Sequence, residues 1–199
     1  MSKCILKAVE NTWQNESAGG FRKMKTIVIY NSQTGFTKRY AEWIAQAAGA
    51  DCLALSAAKK KDLTAYDAII FGGWARAGSI SKISWFKANM DKWTNQKLMV
   101  FCVGGSPADN PEIEEALNRN FNESERKKVK TFYCPGGFNY EKMSAPSKYM
   151  MKMFVKALKA KKDQTEAEQV MVKMISSSYD ISDKKYIEPI LQCLNNYGV

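Results

Sequence analysis

The stretch from Thr26 to Thr37 constrains this chain more than any other: an apolar run, Thr26-Ile27-Val28-Ile29-Tyr30, breaks into the small polar segment Asn31-Ser32-Gln33-Thr34-Gly35 and passes at once into a helical pattern. A continuous Ile/Val run suits a parallel strand covered on both faces. Tyr40, Ala41, Ile44, Ala47 and Ala48 then recur at helical spacing. The polar segment therefore joins a strand's carboxyl end to a helix's amino end, where unpaired backbone N–H groups and the positive end of the helix dipole favour an anion. Ser32, Thr34 and Thr37 add hydroxyls, and Gly35 lets the backbone approach a ligand closely. The alternative is an ordinary strand-to-helix turn capped by Ser32 or Thr34.

The order Ser-x-Thr-Gly-x-Thr at residues 32–37 excludes two common phosphate motifs. No Gly-Lys-Ser/Thr ending makes it a Walker loop, and a single glycine does not make a dinucleotide fingerprint. Without a lysine, the loop would hold a terminal monoester phosphate by neutral donors. In this spacing it resembles the FMN-phosphate loop of flavodoxins.

The rest of the chain repeats the strand-then-helix order. Asp51 to Leu55 reads as a second strand, followed by a polar stretch from Ser56 to Leu63; Tyr66 to Gly73 reads as a third strand, parallel to the first. Ile83, Phe86, Met90 and Trp93 predict a helix over 82–93, Lys97 to Val103 a fourth strand, and Ile113, Leu117 and Phe121 a helix opened by Asn110-Pro111-Glu112. Lys128 to Cys134 is the fifth strand. The expected fold is α/β: a doubly wound five-stranded parallel sheet of order 2-1-3-4-5 with helices on both faces and ligand loops gathered at its carboxyl edge.

Flavodoxin-like proteins wrap the flavin ring with the loops after the third and fourth strands. The resemblance thus implies that Gly73, Trp74, Ala75 and Arg76, with Gly104, Gly105 and Ser106, hold the ring, while Ser32, Gln33, Thr34, Gly35, Phe36 and Thr37 hold the phosphate. Trp74 would stack on the flavin and Arg76 would lie near negative charge on the reduced ring; the plainer alternatives are a core-lid tryptophan and a solvated arginine. Gly104 to Asp109 lacks the stacking tyrosine common in carrier flavodoxins.

After Pro135-Gly136-Gly137-Phe138 the pattern changes. From Pro146 the chain predicts a basic amphipathic helix with Lys148, Lys152, Lys156 and Lys159 on one face and Tyr149, Met150, Met153, Phe154, Ala157 and Leu158 on the other. Thr165 to Glu168 matches a capping box, and Val170, Met171, Met174 and Ile175 form a second stripe. Ile187, Ile190, Leu191 and Leu194 mark the last helix, which Pro189 should divide into a first turn and a restart near Glu188. This order resembles a narrower family, the flavodoxin-domain proteins related to menaquinone-dependent protoporphyrinogen oxidase. It implies FMN and electron transfer to a quinone at the membrane, although the long basic insertion expected near the fourth strand has no counterpart here.

Two features bear on partners. The chain has no histidine, which removes Ser-His and Cys-His schemes and the usual metal ligands, and its five cysteines lack any CxxC pair, so they read as buried thiols. Redox chemistry on a bound cofactor is then the attractive reading, with no side chain required as acid, base or nucleophile. The formal charge of +10 departs from the acidic carrier flavodoxins and suits anionic lipid or an acidic redox partner; no recognition motif supports nucleic acid. The lysine face from Lys148 to Lys159 either touches an anionic membrane or is simply solvated while the Met/Phe face covers the sheet. Two functions are expected: an FMN oxidoreductase passing electrons from a reduced substrate to a quinone, or a one-electron carrier docking to an acidic redox partner. The expected location is the cytoplasm, since no run of apolar residues is long enough to span a membrane, either free or peripheral to the membrane's inner face. Residues 24–199 are expected to form one domain with a helical insertion at 146–178. Residues 1–23 read as an extension outside the fold, with packing of Trp13 and Ile5-Leu6 as the alternative.

Overall fold

The computed structural model describes residues 24–196, so the expectations for residues 1–23 lie outside it. Strands β1 (Thr26–Tyr30), β2 (Asp51–Ala54), β3 (Ala68–Arg76), β5 (Lys97–Gly104) and β6 (Val129–Pro135) form a parallel sheet in the order β2-β1-β3-β5-β6. This is the expected 2-1-3-4-5 arrangement. Its middle strands are apolar on both faces because helices cover both: Ile27 and Ile29 face one cluster with Phe71, Phe86 and Val100, while Val28 faces another with Tyr40, Ile44, Phe101 and Ile190.

Helix α1 (Phe36–Ala48) and the last helix α8 (Glu188–Asn195) supply the second cluster. A 3-10 turn over Lys184–Ile187 precedes α8, and Pro189 falls in its first turn, as its fixed φ allows. The other face is covered more raggedly. The polar stretch after β2 contains the short helix α2 (Leu55–Ala58), and the helix expected over 82–93 is only α3 (Ile83–Lys87) followed by a 3-10 turn at Met90–Lys92. Its four apolar residues are nevertheless buried, with Phe86 and Trp93 rings 5.4 Å apart. Two short helices, α4 (Glu112–Asn118) and α5 (Glu123–Lys128), lead to β6, the second opened by a capping box between Asn122 and Glu125.

Three departures from the sequence reading shape the carboxyl edge. First, β3 does not end at its glycines: it continues through Trp74, Ala75 and Arg76 and turns back as β4 (Ser79–Ile80), antiparallel to it. Second, β7 (Gly137–Phe138) pairs with β8 (Tyr179–Asp180) in a small antiparallel ribbon, and helices α6 (Ala145–Ala160) and α7 (Glu166–Ile175) lie between those two strands in sequence. Third, the Met/Phe face of α6 does not cover the sheet. Its least exposed stripe, Met151, Val155 and Leu158, is half-buried, while Tyr149, Met150, Met153 and Phe154 are exposed. The capping box at Thr165 and Glu168 forms as expected.

Tyr40 ties these parts together. Fully buried, it donates to the Pro135 carbonyl at 2.5 Å and accepts from the Asp183 amide at 3.1 Å, joining α1 to the end of β6 and the start of the carboxyl-terminal segment. Burial pushes its phenol well above the ordinary range, so it remains a donor. Tyr40→Phe keeps the ring and strips both partners, and should cost about 1–3 kcal/mol. Urea unfolding reads this as a lower midpoint at unchanged slope; an unchanged midpoint would show that water replaces the hydroxyl.

Candidate functional site

The loop between β1 and α1 has the geometry of an anion cradle. Asn31 extends the strand pairing by donating its amide to the Gly72 carbonyl at 2.9 Å, after which the chain turns through Ser32 to Gly35. Gly35 sits at φ +104°, a left-handed conformation that places it at the N-cap of α1, and the space where a side chain would stand is open. Ser32 Oγ accepts from the Gly35 amide at 3.2 Å. The amides of the first turn have no intrahelical partner by construction of a helix, and no acidic residue occupies that turn to compete with a ligand. Thr37 is 1% exposed, and neither its hydroxyl nor that of Thr34 has a hydrogen-bond partner among the described residues. Neither oxygen is a buried orphan, since Thr34 is half-buried and the one buried side-chain polar atom without a partner among the described residues is Gln96 Oε1; two reachable donors around a helix N-terminus fit a phosphate group. Phe36 is buried.

Gln33 does something the sequence did not indicate. Its side-chain amide donates to Ser144 Oγ at 2.9 Å and to Ser147 Oγ at 3.3 Å, fastening the loop to the amino end of α6.

The second element, at 73–76, is a strand rather than the loop expected there. Gly73 is buried, Trp74 half-buried, and Ala75 and Arg76 are exposed along the hairpin. Ala77 and Gly78 form its two-residue turn with φ of +46° and +77°, the arrangement of a type I′ hairpin. Ser81 fixes this hairpin to the first loop: its hydroxyl accepts from the Trp74 amide and from Asn31 Nδ2, both at 3.0 Å. Asn31 and Ser81 thus belong to the site's frame although neither spacing nor composition singled them out.

The third element, Gly104 to Ser106, is held by its carbonyls. The Gly136 amide donates to Gly104 O at 2.7 Å, Tyr179 Oη to Gly105 O at 2.5 Å and Tyr133 Oη to Ser106 O at 2.9 Å. Burial raises both phenols, Tyr179 to about 12 and Tyr133 further, which keeps them protonated and donating. These carbonyls are therefore engaged, and the loop's remaining polar groups are what a ligand would meet. Thr34, Gly35 and Phe36 line a cleft of about 440 Å³ together with Phe138, Lys142 and Tyr179. The structure thus joins the 32–37 loop and the 104–106 loop through the β7–β8 ribbon, and leaves Arg76 out at the hairpin.

The ribbon is pinned to α1 by Arg39, which donates to Asp180 Oδ2 at 2.5 Å and to Ser182 Oγ at 2.7 Å. Burial alone would raise the Asp180 carboxyl, but bonds from Ser182 and Arg39 outweigh it and hold it below the ordinary carboxylate range. A depressed folded value contributes stability above the unfolded value, near about 3.9, and loses it as pH falls through the lower folded value. The pair is partly solvated, so the effect should not exceed about 1 kcal/mol. Asp180→Asn is expected to unfold more easily than the wild type at neutral pH and to match it once acid has protonated Asp180. Parallel denaturation curves whose gap is the same at both pH values would contradict this.

The thiols are structural. Burial pushes Cys102 up to about 12 and Cys134 higher, leaving both as neutral core residues at physiological pH; Cys52 and Cys193 are half-buried. No helix among the described residues is long and apolar enough to cross a membrane.

A family model described as "Flavodoxin domain" matches residues 27–165. No curated protein matches the chain. Among solved structures, the chain is similar to a flavodoxin, WrbA-like protein from Agrobacterium tumefaciens, at 19% identity and a TM-score of 0.45, covering 77% of this chain and 96% of that one. It is also similar to a flavoprotein in complex with FMN from Lactobacillus acidophilus, at 18% identity and a TM-score of 0.37, covering 56% of this chain and 92% of that one.

Proposed function

The chain belongs to the flavodoxin domain family, and on that premise we propose that it is an FMN-binding redox protein, an oxidoreductase that passes electrons from a reduced substrate to a quinone-type acceptor. The observation that carries the cofactor is the 32–37 loop: Gly35 in a left-handed conformation at the N-terminus of α1, with the Thr34 and Thr37 hydroxyls open. These residues would hold the phosphate by neutral donors and the helix dipole. Bound FMN would supply the one- and two-electron chemistry. The protein's part is to anchor the phosphate, to fix the 104–106 loop through Tyr133 and Tyr179, and to leave a ligand's ring edge reachable. No histidine and no low-pKa thiol accompanies the site, so proton transfer by the protein is not part of the reading.

The quinone acceptor rests on the resemblance to menaquinone-dependent protoporphyrinogen oxidase in the segment from Gly136 to the last helix. The alternative is a one-electron carrier; the charge of +10 departs from the acidic carrier flavodoxins and says only that its redox partner would be acidic.

The experiment is a visible absorbance spectrum after FMN addition and desalting, followed by anaerobic reduction and mixing with a soluble naphthoquinone. About one retained flavin per chain and rapid reoxidation by the quinone are the expected results. Absence of retained flavin at saturating FMN overturns the cofactor assignment. Retained flavin that ignores the quinone but reduces a one-electron acceptor would transfer the reading to the carrier.

A further inference from the structure

Helix α6 has three sides in place of the usual two. Met151, Val155 and Leu158 are half-buried; Lys152, Lys156 and Lys159 run along one flank with Lys148 half-buried at their head; and the remaining side exposes Tyr149 at 68%, Met150 at 56%, Met153 at 48% and Phe154 at 47%. The helix has no acidic residue anywhere in Ala145–Ala160. Its neighbour α7 also leaves Val170 and Met171 exposed. Large apolar side chains grouped on one exposed helix side mark an interaction surface rather than ordinary scatter.

We infer that α6 docks in the plane of an anionic lipid bilayer, with Tyr149, Met150, Met153 and Phe154 entering the headgroup boundary and Lys152, Lys156 and Lys159 meeting lipid phosphates. Charge decides the occupant. A second copy laid on the same side would bring two lysine flanks and two chains of charge +10 together, whereas an anionic surface answers both the apolar side and the lysines. Lysine stems also reach outward from a partly inserted helix and leave the charge at the phosphates. At about 24 Å for 16 residues, α6 lies wholly in an interface and does not span it. Its amino end is bonded to Gln33, so docking holds the 32–37 loop beside the lipid surface. The inference stands on the helix alone and does not require FMN.

Co-sedimentation of the full-length protein with vesicles tests it. Binding is expected to phosphatidylcholine vesicles containing phosphatidylglycerol, weakening as salt rises, with little binding to phosphatidylcholine alone. Replacing Lys152, Lys156 and Lys159 by alanine should weaken binding about fivefold for each lysine removed. Met150→Ser with Phe154→Ser should weaken it about tenfold or more. Those side chains are exposed, so the variants should keep the wild-type unfolding transition and, where FMN is bound, its spectrum. The inference is overturned if the wild type stays in the supernatant at low salt or if both variants bind like the wild type. It is equally overturned if sedimentation velocity shows a dimer that the serine variant dissociates, for the patch would then join two copies.

Discussion

Replacing Gly35 by valine is expected to weaken FMN binding about a hundredfold or more while leaving the sheet intact. At φ +104° a non-glycine residue pays a backbone penalty of about 1–2 kcal/mol, larger for a β-branched one. The space above Gly35 is open, so the change does not act by collision. The chain would instead relieve the strain by rotating the loop, and the amides and hydroxyls proposed to hold the phosphate would be displaced. Hydrogen bonds to a charged group contribute about 1.5–3 kcal/mol each, so losing two is enough for the expected drop. Quenching of FMN fluorescence gives the affinity, and thermal unfolding of the apoprotein gives the backbone term. Wild-type affinity in a folded Gly35→Val variant would remove the phosphate from this loop and with it the strongest support for the cofactor.

The contrast between what the sequence displays and what it hides has a physical cause. Parallel strands buried on both faces must be apolar at consecutive positions, so β1, β3 and β5 announce themselves, and α1 follows with a clear period. The turn proposed to hold the phosphate is legible as a strand-to-helix turn for the same reason: a strand end, a lone glycine and a helix start are all local. The hairpin at 75–80 is not, because its turn puts Ala77 at positive φ, where alanine gives no sign of a turn, and because the adjacent glycines of β3 look like a strand's end. The β7–β8 ribbon pairs residues about forty positions apart through two-residue strands, too short for any period to show. Tyr133, Tyr179, Asn31 and Ser81 act through long-range hydrogen bonds, and nothing in their neighbourhoods predicts the partner. In α6 the amphipathic period is plain, but a period alone does not say which arc faces the protein. Of the two alternatives for that helix, the one in which the Met/Phe face covers the sheet fails, since Tyr149, Met150, Met153 and Phe154 are exposed.

Phe101→Ala is expected to cost about 3–5 kcal/mol, the largest stability loss among the changes considered. Phe101 is fully buried in the interior strand β5, directly across from Gly72 of the central strand β3. A Cβ added at Gly72 would lie 2.1 Å from the Phe101 Cζ, so the ring fills the space that the missing side chain leaves. The two residues are one packing unit reached from two strands. Gly72→Ala alone must push the ring or the strands aside, an overpacking cost of about 1–3 kcal/mol. In the double variant the ring is gone and the new methyl enters the cavity it vacated. The combined loss should therefore fall short of the sum of the single losses by about 1 kcal/mol or more. Urea unfolding of the four proteins in the cycle provides the measurement. Strict additivity would mean that β3 and β5 shift apart locally to relieve the contact at 72, and that the close approach of the two strands is not what holds the carboxyl edge in register.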